Sequence, residues 1–258
     1  MKKMVGSLLM TSALLLGSIA PVVANAADTS TGSTTTSAGF TKKTDTVGPV
    51  DPDKPTNPID PGDGNGTGGN DGSGLILVYA PKTIGFGTHV LDPINDESYG
   101  ADGATIGDSS NVNSTPVTAT DTNNTSGTNI LGASGNVALE VQDTRGANTG
   151  WTLSVASSAL TAKKNSSTTL AGATITFPKG ATTSTGATSN NATSSAISGL
   201  TTDNTSATIL GAKTGDGEGV TISQMAPKDI TLNVLANTAT EDTYSGTLTW
   251  TLSDTALN

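Results

Sequence analysis

Apolar residues recur at every second position in several segments of this chain, and that period restricts the fold more than any other feature. Alternate side chains of a β-strand lie on opposite faces, whereas a helix would need a period of 3.6 residues. The alternating apolar residues are Val137, Leu139 and Val141; Ile175 and Phe177; Val220 and Ile222; Ile230, Leu232 and Val234. Residues 75–79 are apolar throughout, which indicates a strand covered on both faces. We therefore predict an all-β fold, with a single β-sandwich-like domain over residues 75–258.

The first 26 residues have the features of a secretory signal peptide. Lys2 and Lys3 precede a largely apolar run over residues 8–23, and Ala24-Asn25-Ala26 supplies the small residues of a cleavage site. The apolar run is too short for a membrane-spanning helix. We therefore expect a secreted protein whose mature form is not inserted in a membrane.

Low-complexity sequence follows the predicted signal peptide. Residues 27–48 are rich in Thr and Ser, and Phe40 marks a candidate strand there. From residue 49 to 61 proline recurs at every third position, which predicts a polyproline II rod of roughly 40 Å. Residues 62–74 are rich in Gly, so we assign residues 49–74 to a linker. Long polar stretches inside the domain, such as residues 182–195, are predicted to be surface loops.

Composition excludes several kinds of site. With no cysteine, the chain has no disulfide, no thiol nucleophile and no thiolate metal ligand. His89 is the only histidine, whereas a zinc site usually needs two or three, and no nucleophile motif lies near it. We expect a structural or solvated role for His89, and no catalytic residue, cofactor or metal. The net charge of −10 makes nucleic acid and anionic lipid poor partners.

Both tryptophans of the chain lie in the same tetrapeptide, Trp-Thr-Leu-Ser, at residues 151–154 and 250–253. Written as strands, Trp151 shares a face with Leu153, and Trp250 shares a face with Leu252. Two interpretations stay open for these side chains. They are core-facing pillars, or they are exposed contacts for a ligand.

The flanks of the two motifs resemble those of the WxL-domain cell-wall surface proteins of low-GC Gram-positive bacteria. The first motif follows Asp143-Thr144-Arg145-Gly146, similar to the family's D-x-R-G…G-W-x-L context. The second follows Tyr244 and reads Leu-Thr-Trp-Thr-Leu-Ser-Asp, similar to the family's terminal Y…L-T-W-x-L-x-D/N context. Residues 75–90 resemble the strand that opens this domain, so the resemblance covers essentially the whole chain.

The resemblance implies a non-catalytic protein held non-covalently at the bacterial cell wall. Its partners would be peptidoglycan or an associated polymer, together with other co-displayed surface proteins. The implied wall-binding motif consists of Trp151, Leu153, Trp250 and Leu252, with Arg145 and Tyr244 as accessory residues. Arg145 is the only arginine, and it either pairs with Asp143 or reaches a wall ligand.

Two other functions stay open at this point. One is a protein–protein module retained at the surface through partner proteins, for which strand addition involving Phe40 is the mechanism considered. The other is a secreted glycan hydrolase, because glycosidases need two carboxylates. Asp216 with Glu218, or Glu241 with Asp242, would supply them. A turn is the more ordinary interpretation of residues 215–219, because Gly and Asp are turn formers.

Overall fold

A computed structural model describes residues 32–40, 48–59, 66–67, 74–102, 128, 131–186 and 191–258. The predicted signal peptide lies outside these residues, as does most of the Gly-rich segment 62–74. The chain divides into two units, residues 1–40 and residues 41–258. In the first unit, residues 32–40 contain no helix or strand, and Phe40 is 93% exposed. The strand predicted near Phe40 is therefore absent from residues 32–40, while residues 41–47 lie outside the described part.

Strands carry nearly all of the regular structure of the second unit, as the period of two predicts. They are β1 (Val50–Asp51), β2 (Lys54–Pro58), β3 (Gly66–Thr67), β4 (Leu75–Pro81), β5 (Glu97–Gly100), β6 (Val137–Asp143), β7 (Trp151–Ser157), β8 (Thr161–Ala162), β9 (Thr174–Phe177), β10 (Ala181–Thr185), β11 (Thr193–Ser194), β12 (Ile197–Thr201), β13 (Ser206–Ala212), β14 (Gly219–Met225), β15 (Thr231–Val234), β16 (Tyr244–Ser245) and β17 (Leu248–Ser253). A single 3-10 turn, Pro227–Asp229, separates β14 from β15. The prediction of an all-β fold is confirmed.

The described strands form three larger antiparallel sheets and two two-stranded sheets. One sheet has the order β10-β14-β6-β4-β3, the second β11-β13-β7-β17, and the third β12-β9-β15-β5. The two-stranded sheets are the hairpin of β1 and β2 and the pair of β8 with β16. One apolar cluster contains buried side chains from all three larger sheets, among them Leu139 of β6, Leu153 of β7 and Phe177 of β9. The three sheets therefore share one core.

The proline-rich segment does not form the extended rod that its period predicts. Residues 48–59 contain the antiparallel hairpin of β1 and β2, and the Asp53 N–H donates to Asp51 Oδ1 at 2.9 Å across the turn. The hairpin is tied to the domain, because Val50 N–H donates to the Glu140 carboxylate and Gln224 Nε2 donates to the Pro52 carbonyl. Turn chemistry and these tertiary hydrogen bonds outweigh the intrinsic preference of spaced prolines for polyproline II.

The polar stretch 182–195 also differs from the prediction of a surface loop. β10 pairs along its whole length with β14, and β11 pairs with β13. Both strands lie at sheet edges. Threonine is β-branched and fits a pleated, half-buried surface, so a stretch of low hydrophobicity still forms edge strands here. Residues 187–190 lie outside the described part.

Candidate functional site

The two Trp-Thr-Leu-Ser motifs lie on neighbouring strands of one sheet. β7 and β17 pair antiparallel, with Leu153 opposite Leu252 and Trp250 opposite Val155. The Trp and Leu side chains of both strands lie on the inner face, and the intervening Thr side chains lie on the outer face. β7 has strand neighbours on both sides, β13 and β17, whereas β17 pairs only with β7 among the described strands.

Trp151 is a core residue. Its side chain is 0% exposed, and its Nε1–H donates to the Gly217 carbonyl at 3.1 Å. The hydrogen bond satisfies the one polar group of the indole, which would otherwise be costly to bury. Gly150 is required before it, because φ is +73° there and a Cβ would lie 2.6 Å from the Ala212 carbonyl oxygen. Trp151 therefore offers no surface to a wall polymer.

Trp250 has the same sequence context but a different environment. It is half-buried and packs against the same core, with its ring edge-to-face on Phe177 at a centroid distance of 6.1 Å. Its neighbours on the inner face, Leu248 and Leu252, are also half-buried. The position of β17 explains the difference, since no described strand other than β7 pairs with it.

Arg145 belongs to the support of the first motif. Its Nε and Nη2 atoms donate to the two carboxylate oxygens of Asp143 at 2.9 and 2.8 Å, and Nη2 also donates to the Gly150 carbonyl at 2.8 Å. The hydrogen bond to Asp143 raises the pKa of Arg145 above its ordinary value. Asp143 is buried at the end of β6. The pair thus fixes the loop from β6 to β7 directly before Trp151, and of the two roles considered for Arg145 the structure shows the ion pair.

The structure does not bring Tyr244 into the Trp-x-Leu pair. Tyr244 lies on β16, where its hydroxyl accepts from the Thr240 N–H at 3.0 Å. Its ring instead lines a pocket of about 440 Å³ between the segment 83–92 and strands β5, β9 and β15. This cavity is called the loop pocket below. His89 also lines it, with its ring stacked on Tyr99 at a centroid distance of 3.9 Å and Nε2 2.5 Å from the Phe86 carbonyl oxygen.

The outer face of the sheet that holds the two motifs carries small side chains on its strands, and Leu257 covers it at Gly211, where a Cβ would lie 3.3 Å from Leu257 Cβ. The three rows of opposed residues on β13, β7 and β17 are Ser206, Ala156 and Thr249; Thr208, Ser154 and Thr251; Gly211, Thr152 and Ser253. We call this surface the hydroxyl face. Thr249 and Thr251 are exposed, and Ser154 Oγ lies 3.4 Å from Thr208 Oγ1. None of the nine residues in the three rows is charged, and seven of them carry a hydroxyl group.

The carboxylate of Glu140 on β6 is buried, which is unusual for a charged side chain. The alternation predicts an outward side chain here, but the β1–β2 hairpin covers that face. Desolvation raises the pKa of Glu140 to about 7, and the hydrogen bond from Val50 N–H opposes part of that rise. Tyr79 lies opposite on β4, and burial raises its pKa to about 12. These residues form a structural layer beneath the hairpin.

The carboxylate pairs considered for glycan hydrolysis lie in turns. Gly215, Gly217 and Gly219 all have positive φ, as a tight turn between β13 and β14 requires, and Asp216 accepts a hydrogen bond from Asn191 Nδ2 at 2.9 Å. Asp242 accepts the backbone N–H of Lys164 at 3.0 Å. Within the described ranges, no group of three or more potential ligands is placed to hold a metal ion. Nor does any described helix have the length and apolar character needed to cross a membrane.

The fold and the site define a class: an all-β protein in which two Trp-x-Leu strands pair within one sheet. Residues 27–256 match the family model of the WxL domain, described as surface cell wall-binding. Because the match covers nearly the whole chain, the protein belongs to the WxL domain family. It is a cell-surface protein that binds cell-wall components. No curated protein and no solved structure matches the chain.

Proposed function

We propose that the protein attaches non-covalently to peptidoglycan through its folded domain and catalyses no reaction. The observation that carries the proposal is the match to a wall-binding family over residues 27–256, together with the pairing of both motifs in one sheet. The net charge of −10 supports peptidoglycan over wall polymers that carry phosphate, because like charges repel. Residues 1–26 would direct export and be removed.

The hydroxyl face is the contact surface that we propose. Trp151 and Leu153 are buried, so these residues act by building the sheet rather than by touching the wall. The hydroxyls of Thr249 and Thr251 both donate and accept hydrogen bonds, as the hydroxyls and amides of a glycan with attached peptides also do. Small side chains lose little conformational entropy when a polymer orders them.

Retention on purified, protein-stripped sacculi tests the attachment. The wild-type protein should sediment with the sacculi, and the double substitution Thr249→Ala and Thr251→Ala should reduce the bound fraction. Thr183→Ala is the matched control, because Thr183 is an exposed threonine on the edge strand of another sheet. Absence of retention for the wild-type protein would count against direct wall binding. Equal losses in both variants would remove the hydroxyl face from the proposal.

The absence of catalysis is tested separately. Incubation of the protein with sacculi should release no soluble glycan or peptide fragments. If fragments appear, substitution of Asp216 or Asp242 by Asn identifies whether either candidate carboxylate is responsible.

A second candidate function rests on the edge position of β17. Among the described strands β17 has one neighbour, and its sequence Leu-Thr-Trp-Thr-Leu-Ser has neither a charge nor a proline. Natural edge strands usually carry such residues because they block pairing with other chains. A partner surface protein that adds a strand to β17 would use this edge. Retention only on sacculi that still carry other surface proteins would favour this function over direct binding.

A further inference from the structure

Several exposed apolar side chains line the loop pocket. The described residues include five exposed large hydrophobic side chains, and three of them, Val90, Leu91 and Leu235, line this pocket. Val90 is 92% exposed. A volume of about 440 Å³ is within the range of small-molecule and side-chain sites. The cavity is therefore large enough for an extended aliphatic side chain and its neighbouring backbone.

The segment that forms the pocket wall is anchored at its base. Ile84 and Phe86 pack against the main core, and Gly85 N–H donates to Thr128 Oγ1 at 2.9 Å. Thr128 in turn donates to the Ala101 carbonyl at 2.7 Å. The wall is thus held at one end, while Val90 and Leu91 remain exposed. A wall fixed at one end has less conformational entropy to lose on binding than a wall free at both ends.

The charges at the pocket have one sign. Asp92, Glu97 and Asp242 line it, and no Lys or Arg is among its described lining residues. Within the described part of the chain, none of these carboxylates is in an ion pair with a lysine or arginine side chain. Desolvation and then the negative charges of Glu97 and Asp92 raise the pKa of Tyr99, which shows that their field reaches into the cavity.

Aromatic rings add to the attraction for a cation. The stacked pair of Tyr99 and His89 lies in the lining, and Tyr244 lines the same cavity. The faces of such rings attract an ammonium group within about 6 Å. The pocket lining thus combines apolar side chains, which can pack against an aliphatic chain, with carboxylates and aromatic rings, which attract a positive charge at its end.

We propose that the loop pocket binds the ammonium-bearing side chain of a cell-wall peptide. The inference rests on the proposed attachment to peptidoglycan, whose short peptides combine alanine methyl groups with a diamino acid. Anionic wall polymers would bind this pocket poorly, because its carboxylates would repel their phosphates. The pocket would thus select the peptide, and the hydroxyl face would contact the polymer independently.

Titration of the full secreted protein with a labelled stem pentapeptide, L-Ala-γ-D-Glu-L-Lys-D-Ala-D-Ala, tests this site. Acetylation of the lysine Nζ keeps the aliphatic chain and removes the charge, so it should weaken binding by up to about fivefold, as expected for one partly exposed ion pair. Glu97→Gln should weaken binding of the free-amine peptide to a similar degree. Glu241→Gln is the matched control, because it removes the same charge from a residue outside the lining.

The outcomes separate this inference from wall attachment. Equal affinity for the free and acetylated peptides, or equal effects of Glu97→Gln and Glu241→Gln, would overturn the pocket assignment even if the protein still sediments with sacculi. Retention that disappears when anionic polymers are stripped from the sacculi would also overturn it. If the protein does not sediment with sacculi, peptide titration alone decides: discrimination by the amine supports the site, and its absence rejects it.

Discussion

Leu153 of β7 and Leu252 of β17 lie directly opposite each other in an antiparallel pair, so a local two-fold axis relates the two Trp-x-Leu motifs. Trp151 and Trp250 each lie two residues before the paired leucine on their own strand. Their environments nevertheless differ, because β7 has strands on both sides and β17 is an edge strand. One copy of the tetrapeptide thus lies on an inner strand of the sheet, and the other copy lies on an edge strand.

Truncating the two tryptophans should have unequal effects on stability. Trp151→Ala should lower the free energy of unfolding by about 3–5 kcal/mol, because it removes a fully buried indole and leaves the Gly217 carbonyl without its partner. Trp250→Ala should cost about 1–3 kcal/mol, since that side chain is only half-buried. Chemical denaturation measures both values. A larger loss at Trp250 would contradict the burial difference.

Gly217→Ala should destabilise the domain more than Gly215→Ala. Both glycines have φ near +90°, so the backbone strain is similar. A Cβ at Gly217 would lie 2.5 Å from Trp151 Nε1 and from Ala212 Cβ, whereas nothing lies within 4 Å of a Cβ at Gly215. We expect the extra cost at Gly217 to be about 1–3 kcal/mol, as for overpacking. Thermal or denaturant unfolding provides the comparison, and equal losses would show that strain alone matters.

Arg145→Lys should destabilise the protein by about 1–3 kcal/mol. Lysine cannot reproduce the two parallel bonds to buried Asp143 together with the bond to Gly150, so part of a buried carboxylate is left unsatisfied. Lys228→Ala is the control. Its pair with Asp229 is exposed, so the change should be within about 0.5 kcal/mol. Similar values for the two variants would show that the Arg145 pair contributes no more than a surface pair.

Glu140→Gln should flatten the pH dependence of stability between pH 5 and 8. The pKa of about 7 in the folded protein lies above the ordinary value of 4.5, so the folded state binds this proton more tightly. The stability from this group is therefore fully present below about 4.5 and is lost as the pH rises through about 7. Between pH 5 and 8, this group should lower the free energy of unfolding by about 2–3 kcal/mol.

Denaturation at a series of pH values measures that slope. The wild-type protein should lose more stability than Glu140→Gln between pH 5 and 8. Parallel curves for the two proteins would show that burial does not raise the pKa of Glu140.

The strands with regular alternation could be predicted from sequence because their apolar residues all lie on the face that packs against the core. Val137–Asp143 illustrates both the success and its limit. Val137, Leu139 and Val141 lie in the main core as the period predicts, but Ala138 and Glu140 on the other face are also buried. The cover comes from the hairpin of residues 50–58, whose proline spacing suggested a rod. Pro52 between two aspartates was the turn signal that could have located this hairpin.

The loop pocket and the hydroxyl face depend on long-range contacts and could not be predicted from local sequence patterns. The loop pocket brings Tyr244 together with His89 and Tyr99, which lie far from it in sequence, and no local pattern indicates that they meet. The hydroxyl face depends on the register between three strands. A threonine-rich β-strand is visible in the sequence, but the alignment of Thr208, Ser154 and Thr251 in one row is a property of the sheet.

Away from Gly211, which Leu257 covers, the hydroxyl face carries only small side chains, and none of them is large enough to fix one repeat of a polymer in place. On such a surface, neighbouring repeats of a wall polymer fit about equally well in several overlapping positions. Attachment of this kind would be a sum of interchangeable weak contacts. Each molecule would therefore move between neighbouring positions on the wall without dissociating from it.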